Sequence, residues 1–87
     1  MNRIAAMQTR LATLEPVALE IIDESRKHAG HAGTRGGAGH YRLHIVSPQF
    51  AGKNTMARHR MIYSALAEMM EREIHALNIQ AKTPEEH

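Results

Sequence analysis

A short segment in which apolar and basic side chains alternate places the strongest constraint on the fold. The segment is residues 40–47. Its apolar positions are Tyr41, Leu43 and Ile45, and its basic positions are His40, Arg42 and His44. Because successive side chains of a strand point to opposite faces, one face should pack on a core and the other should be solvated and basic. The segment therefore predicts a sheet that is covered on one side.

The residues before this strand predict a helix and another strand. Ile4, Met7, Leu11 and Leu14 recur at helical spacing until Pro16, which indicates a helix over about 3–14. The branched apolar residues of 17–24 then favour a strand. Its inward side chains are expected to be Val17, Leu19 and Ile21.

The residues after the alternating strand predict two helical segments and a last strand. Residues 48–51 suit one helical turn that ends at Gly52, and Asn54 or Thr55 can cap a helix running to about Arg72. Within that helix, Glu68 and Arg72 have the spacing of a favourable ion pair. Residues 75–82 alternate again, with Leu77 and Ile79 expected inward.

The chain of 87 residues is long enough for one small domain, taken as residues 1–87. Residues 25–39 contain five glycines and predict a long flexible loop, and residues 83–87 form a short tail that begins like a capped helix. The chain has no cysteine, so neither disulfides nor its own thiolates are available. Helices and strands in this order predict an α+β fold.

Charge is segregated along the sequence. No acidic residue occurs between Ser25 and Ala67, whereas seven Lys or Arg residues and five histidines do. Such a segment attracts anions such as nucleic acid, phosphate or an acidic protein surface, although a solvated basic surface without a partner fits the composition equally well.

Arg58 and Arg60 flank His59 at the start of the predicted long helix. Cations there cost about 0.3–1 kcal/mol through the helix dipole. One interpretation is that the two arginines belong to a solvated helix turn in which this small cost is tolerated. The other is that they bind an anion together with the backbone N–H groups of the helix start. His59 points towards the apolar face, where a buried, hydrogen-bonded imidazole is the expected structural role.

Several motifs together resemble the BolA family over nearly the whole chain. The most specific are Phe50-Ala51-Gly52-Lys53 followed by Arg58-His59-Arg60-Met61-Ile62-Tyr63. Supporting ones are Asp23-Glu24-Ser25, His28-Ala29-Gly30-His31-Ala32-Gly33, Ile74-His75-Ala76-Leu77 and Thr83-Pro84-Glu85. The resemblance implies a class II KH-like αββααβ sandwich, with helices packed on one face of a three-stranded sheet.

The resemblance also implies partnership with a monothiol glutaredoxin around a shared [2Fe–2S] cluster, in iron–sulfur trafficking or iron sensing. It implies His75 as one cluster ligand and His28 as the second, with His31 and His40 as alternates. A glutaredoxin cysteine and a glutathione thiol would hold the other iron, so the isolated chain should have no tight metal site. From spacing alone, a strand histidine such as His75 is more often a packed residue than a ligand.

Some BolA-like proteins are DNA-binding regulators of stress responses and cell morphology, and this is the alternative function. The residues expected to contact nucleic acid or another anion are Arg58, Arg60, Lys53, Arg42 and His44. The turn at Ala51-Gly52-Lys53-Asn54 has one glycine where KH domains have two, and aromatic platforms are scarce. Binding should therefore be phosphate-led and sensitive to salt.

Catalysis is not expected, because the sequence has no cysteine nucleophile, no Ser–His–acid arrangement and no phosphate-cradling glycine loop. No apolar run is long enough to cross a membrane. The expectation is a non-catalytic, cytoplasmic protein that is monomeric when alone.

Overall fold

A three-stranded sheet lies at the centre of the computed structural model, which describes residues 2–24 and 39–86. Its strands are β1 (Ala18–Asp23), β2 (Gly39–Val46) and β3 (Ile74–Lys82), in the spatial order β1-β2-β3. β2 pairs antiparallel with β1 and parallel with β3. The three strands predicted from the sequence are thus confirmed.

The second strand begins one residue earlier than expected. Gly39, which the sequence placed in the loop, belongs to β2, and its N–H donates to the carbonyl of Glu73 at 3.0 Å. A Cβ atom at Gly39 would lie 2.7 Å from the Tyr41 ring, so a glycine is needed where that ring crosses the strand. The remainder of the predicted 25–39 loop lies outside the described residues.

The first helix, α1 (Arg3–Leu11), continues into a 3-10 turn, Ala12–Leu14. The Oδ1 atom of Asn2 caps α1 by accepting hydrogen bonds from the N–H groups of Ile4 and Ala5, at 2.9 and 3.2 Å. The predicted end of the helical segment at Leu14 is correct, although its last turn is tighter than an α-helix.

The long helix is interrupted, which the sequence did not predict. A 3-10 turn, Pro48–Phe50, leads to α2 (Thr55–Leu66), and a separate short helix, α3 (Met69–Arg72), follows. The interruption is at Ala67, whose φ of 53° and ψ of −130° are outside the helical region. The expected continuous helix to about Arg72 is therefore wrong, whereas the expected cap is confirmed because Asn54 Oδ1 accepts from Ala57 N–H at 2.8 Å.

The predicted ion pair between Glu68 and Arg72 is also wrong. The two residues still span α3, with Glu68 at its N-cap, but the Glu68 carboxylate lies 3.7 Å from the guanidinium of Arg10 on α1 instead. Both side chains are substantially exposed, so the pair links the two helices at little energetic gain.

The core lies between the helices and one face of the sheet. Its buried residues are Met7, Leu11, Leu14, Tyr41, Leu43, Ile45, Phe50, Ile62, Leu66, Met69 and Ile74. The inward positions predicted for β2 are confirmed, and those of β1 and β3 are half-buried against this core. Val17 is an exception: it precedes β1 and is 65% exposed, so its predicted inward orientation is wrong. The α+β, KH-like sandwich is confirmed.

Candidate functional site

A bulge in β3 places His75 at the surface. Ile74 pairs with Gly39 and the next paired residue, Ala76, with His40, so His75 is an extra residue with no partner opposite it. A bulge of this kind re-aims the side chain of the inserted residue. His75 is exposed, so its position does not match the packed strand histidine that was the alternative interpretation.

His40 on β2 lies next to His75. The two ring centroids are 4.9 Å apart and the ring planes are inclined by 42°. His40 is half-buried, whereas His75 is exposed. Imidazole nitrogens ligate zinc at about 2.0–2.1 Å, so two rings this close are candidates for binding the same metal ion. Of the histidines predicted as ligands, these are the two that the described structure brings together.

The other two predicted ligands, His28 and His31, lie outside the described residues. Within residues 2–24 and 39–86, no group of three or more His, Cys, Asp or Glu side chains has the arrangement needed to hold a metal ion. His40 and His75 therefore offer two ligands, and a closed four-ligand site would need others.

His59 is less buried than the sequence indicated. It is half-buried, and its ring lies edge-on to that of Tyr63, with centroids 6.3 Å apart and planes at 75°. It also lines a shallow groove of about 570 Å³ together with His40 and the β3 residues Ala76–Ile79. The buried, hydrogen-bonded imidazole expected from the sequence is thus not observed, because His59 is half-buried on a flank of α2 that is open at this groove.

Arg58, predicted as an anion ligand, is already bonded within the chain. Its Nε donates to the carbonyl of Lys53 at 2.8 Å, and its Nη1 donates to the carbonyl of Ala81 at 3.0 Å. Both terminal nitrogens also bind the Glu86 carboxylate, at 2.6 and 3.1 Å. With only 12% of its side chain exposed, Arg58 has little capacity left for a phosphate.

Glu86 was not predicted as a partner of Arg58, although a sequence signal existed. The spacing Thr83-x-x-Glu86 is that of a capping box. The Thr83 N–H donates to Glu86 Oε1 at 2.9 Å, and the Glu86 N–H donates to Thr83 Oγ1 at 3.3 Å. The hydrogen bond from Arg58, followed by that from the Thr83 N–H, lowers the pKa of Glu86 to about 2, and the same ion pair raises the pKa of Arg58.

Lys53 and Arg60 are exposed. Arg60 also borders a second shallow groove, of about 470 Å³, whose polar lining includes Thr13 and Ser64. Among the basic residues at the start of α2, these two are better placed than Arg58 to reach an external anion. Their role in anion binding stays a prediction.

The outer face of the sheet is less basic than the sequence of β2 suggested. Arg42 forms an ion pair with Glu24 at 3.1 Å, and Glu20 of β1 is directly opposite His44 of β2. Acidic residues that precede the basic segment in the sequence are thus brought beside it by the antiparallel pairing. This arrangement lowers the positive potential expected around Arg42 and His44.

None of the helices in the described ranges is both long enough and apolar enough to cross a membrane.

Comparison with protein families and with individual proteins gives consistent matches. The family model for BolA-like protein matches residues 11–86. The SufE-like protein 1, chloroplastic/mitochondrial, of Arabidopsis thaliana is 50% identical over 78 residues, covering 84% of this chain and 21% of that protein. The DNA-binding transcriptional regulator BolA of Escherichia coli is 41% identical over 75 residues, covering 86% of this chain and 69% of the regulator.

A solved structure supports the same relationship. BolA1 from Arabidopsis thaliana superposes with a TM-score of 0.85 and 44% identity, covering 100% of this chain and 97% of that one. The chain spans between about a fifth and somewhat more than half of the length of the first curated relatives. The match thus concerns the BolA-like part of those longer proteins.

Proposed function

Because this chain belongs to the BolA-like protein family, we propose that it is a non-catalytic adaptor that binds a monothiol glutaredoxin and contributes histidines to a bridging [2Fe–2S] cluster. The observation that carries the proposal is the exposed His75, with His40 only 4.9 Å away between ring centroids. On this proposal the cluster is cargo for iron–sulfur trafficking or iron sensing.

The chemistry of this chain fits a shared cluster better than a metal site of its own. It has no cysteine, and its described residues bring two imidazoles together rather than four ligands. A glutaredoxin cysteine and a glutathione thiol would supply sulfur ligands that this chain lacks. Histidine ligation raises the reduction potential of such clusters, and it makes binding depend on pH because the imidazole must be neutral.

The choice of second ligand defines the forms of the proposal. The family resemblance favours His28, with His31 as an alternate, and both lie outside the described residues, whereas proximity favours His40. His75 is common to all forms. Substituting each histidine separately distinguishes them, because the true second ligand is required for the cluster spectrum and the other is not.

The direct test mixes the purified chain with cluster-loaded monothiol glutaredoxin. We expect a heterodimer on gel filtration, together with a changed visible absorption and circular dichroism spectrum. The chain alone should elute as a monomer and stay colourless. If the spectrum remains that of the glutaredoxin alone and no heterodimer elutes, the adaptor proposal is wrong.

A DNA-binding regulator is the second candidate, because the Escherichia coli relative carries that description. Exposed Lys53 and Arg60 favour it, whereas the internal bonds of Arg58 and the ion pair of Arg42 leave fewer free cations than the sequence indicated. Its test is affinity for duplex DNA across a salt series, since phosphate contacts make affinity fall steeply with salt. Salt-independent or undetectable binding contradicts it.

A cytoplasmic location is part of the proposal and needs its own test, because the SufE-like relative is described as chloroplastic/mitochondrial. Fractionation of the native host with antibodies against the chain would decide between the cytoplasm and an organelle.

A further inference from the structure

The outer edge of β3 carries backbone groups that no strand of the described chain pairs with. β3 is at the edge of the sheet. The Lys82 carbonyl accepts from Ser47 N–H at 2.9 Å, so the backbone groups of Lys82 point towards β2. Because these groups alternate in direction along a strand, those of Leu77, Ile79 and Ala81 point to the outer edge.

One contact of this edge shows that it accepts donors from outside the sheet. Arg58 Nη1 donates to the Ala81 carbonyl at 3.0 Å from the outer side. In the described ranges, no bond is formed by the outward N–H and C=O groups of Leu77 and Ile79. Two consecutive outward-facing residues are thus available for strand pairing.

A shelf of side chains on α2 borders this edge. Met56, His59 and Tyr63 fall on one side of the helix by their spacing, and Met56 and Tyr63 are 64% and 41% exposed. His59 faces the groove that Leu77 and Ile79 also line. A strand added to β3 would therefore lay alternate side chains on a partly apolar shelf rather than in water.

The charges around the edge determine what kind of strand fits. β3 contains no carboxylate, its own Lys82 is exposed, and the exposed Lys53 adjoins Arg58, which contacts Ala81 of β3. The nearby acids Glu24 and Glu86 are each engaged with an arginine of the chain. The edge is therefore complementary to negative charge and unfavourable to another basic strand.

We propose that the outer edge of β3, together with the α2 shelf, binds an acidic, extended peptide segment of a partner protein as a fourth strand. A peptide matches this surface better than a nucleic acid does, because alternating N–H and C=O groups require both donors and acceptors in register. A phosphate backbone supplies acceptors only, and for base stacking the described shelf offers the Tyr63 ring and the half-buried His59 imidazole alone. The site adjoins the cluster ligands, because His40 lines the same groove as Leu77 and Ile79, but strand pairing at β3 uses backbone groups and needs no cluster.

The test uses isotope-labelled protein without metal or glutaredoxin. The probe is a capped peptide of alternating Glu and Val, compared with the same peptide carrying Lys in place of Glu and with one interrupted by proline. We expect amide shifts and slowed hydrogen exchange at Leu77 and Ile79 with the acidic peptide, weakened by salt, and none with the proline peptide.

A charge-reversal pair makes the test specific to the surface. Lys82→Glu should weaken the acidic peptide roughly two- to fivefold, the size expected for one exposed charge pair, whereas Arg3→Glu on α1 should leave it unchanged. If both variants weaken peptide binding equally, the effect depends on the net charge of the protein and not on this surface. That result would contradict the proposed docking site.

Three further outcomes also overturn the proposal. They are shifts confined to Arg42 and His44 on the outer face, tighter binding of oligothymidine than of the acidic peptide at the same amides, and self-association through Leu77 and Ile79 without any peptide. Because neither cluster nor glutaredoxin is present, failure here leaves the adaptor function standing.

Discussion

His75 lies beside His40 although the two residues are not paired in the sheet. The bulge in β3 inserts His75 between Ile74 and Ala76, and its ring comes to 4.9 Å from that of His40, centroid to centroid. A regular strand would direct neighbouring side chains to opposite faces. The irregularity therefore produces the one juxtaposition of histidine rings at this edge of the described sheet.

The first prediction separates ligation from packing at this pair. His75→Ala should abolish or strongly alter the cluster spectrum with glutaredoxin, because an exposed ligand has no substitute in the described chain. The free energy of unfolding of the His75→Ala variant should differ from that of the wild type by less than about 0.5 kcal/mol, as for most surface substitutions. Visible circular dichroism and urea unfolding measure the two effects.

His44→Ala is the matched control, since His44 is on the same strand as His40 and should leave the spectrum unchanged. His40→Ala, His28→Ala and His31→Ala then identify the second ligand. A normal spectrum with His75→Ala, or global unfolding of that variant, would show that His75 is not a ligand or that its role is structural.

The second prediction concerns the link between Arg58 and Glu86. The bonds to Arg58 and Thr83 lower the pKa of Glu86 to about 2 from 4.5. The ionised Glu86 therefore stabilises the fold at pH values above the pKa that it has in the unfolded chain. That contribution should be lost as pH falls from about 4.5 to 2. Glu86→Gln should be less stable near neutral pH, and its stability should depend less on pH across this range.

Urea midpoints measured from pH 7 down to 2 test this directly. Glu85→Gln provides the control, because Glu85 is exposed and carries the same charge one residue away. If Glu86→Gln keeps the wild-type pH dependence and Glu85→Gln loses it, the link to Arg58 does not operate in solution.

The positions of the strands along the sequence were predictable because each strand turns one set of alternate side chains towards the core. Tyr41, Leu43 and Ile45 alternate with polar residues, and period two is compatible with only one kind of element. The helix break was not predictable in the same way. It depends on the φ angle of Ala67, and alanine is a residue that favours helix.

The site was predictable only where the resemblance placed it. Composition marked the central segment as basic, yet Glu24 and Glu86, which neutralise Arg42 and Arg58, come from outside that segment. Contacts between residues far apart in sequence are set by the fold, so local charge patterns overestimated the number of free cations. Likewise, no periodicity indicates a bulge, and the closeness of His40 and His75 depends on one.

The third prediction divides the two arginines at the start of α2. Arg58→Ala should lower stability, because it removes hydrogen bonds to Lys53, Ala81 and Glu86 together. Arg60→Ala should change stability by less than about 0.5 kcal/mol, since Arg60 is exposed. If DNA is bound, Arg60→Ala should nevertheless weaken it and reduce the salt slope by roughly one.

Thermal unfolding and DNA titrations on the same two variants provide the comparison. Equal losses of stability would contradict the structural division between them. Loss of DNA binding only in Arg58→Ala, with the fold intact, would reassign the anion contact to Arg58.

The last prediction concerns the strained break between α2 and α3. Ala67 has a φ of 53° and a ψ of −130°, a conformation that glycine adopts far more readily than alanine. Such strain costs about 1–3 kcal/mol, whereas the extra freedom of glycine in the unfolded chain costs about 0.4–1 kcal/mol. Ala67→Gly should therefore raise the free energy of unfolding by about 1 kcal/mol. Ala5→Gly, the same exchange at an exposed position within α1, should lower it by up to about 1 kcal/mol. Chemical denaturation of both variants measures the difference in sign, and destabilisation by both would mean that α2 and α3 are continuous at Ala67 in solution.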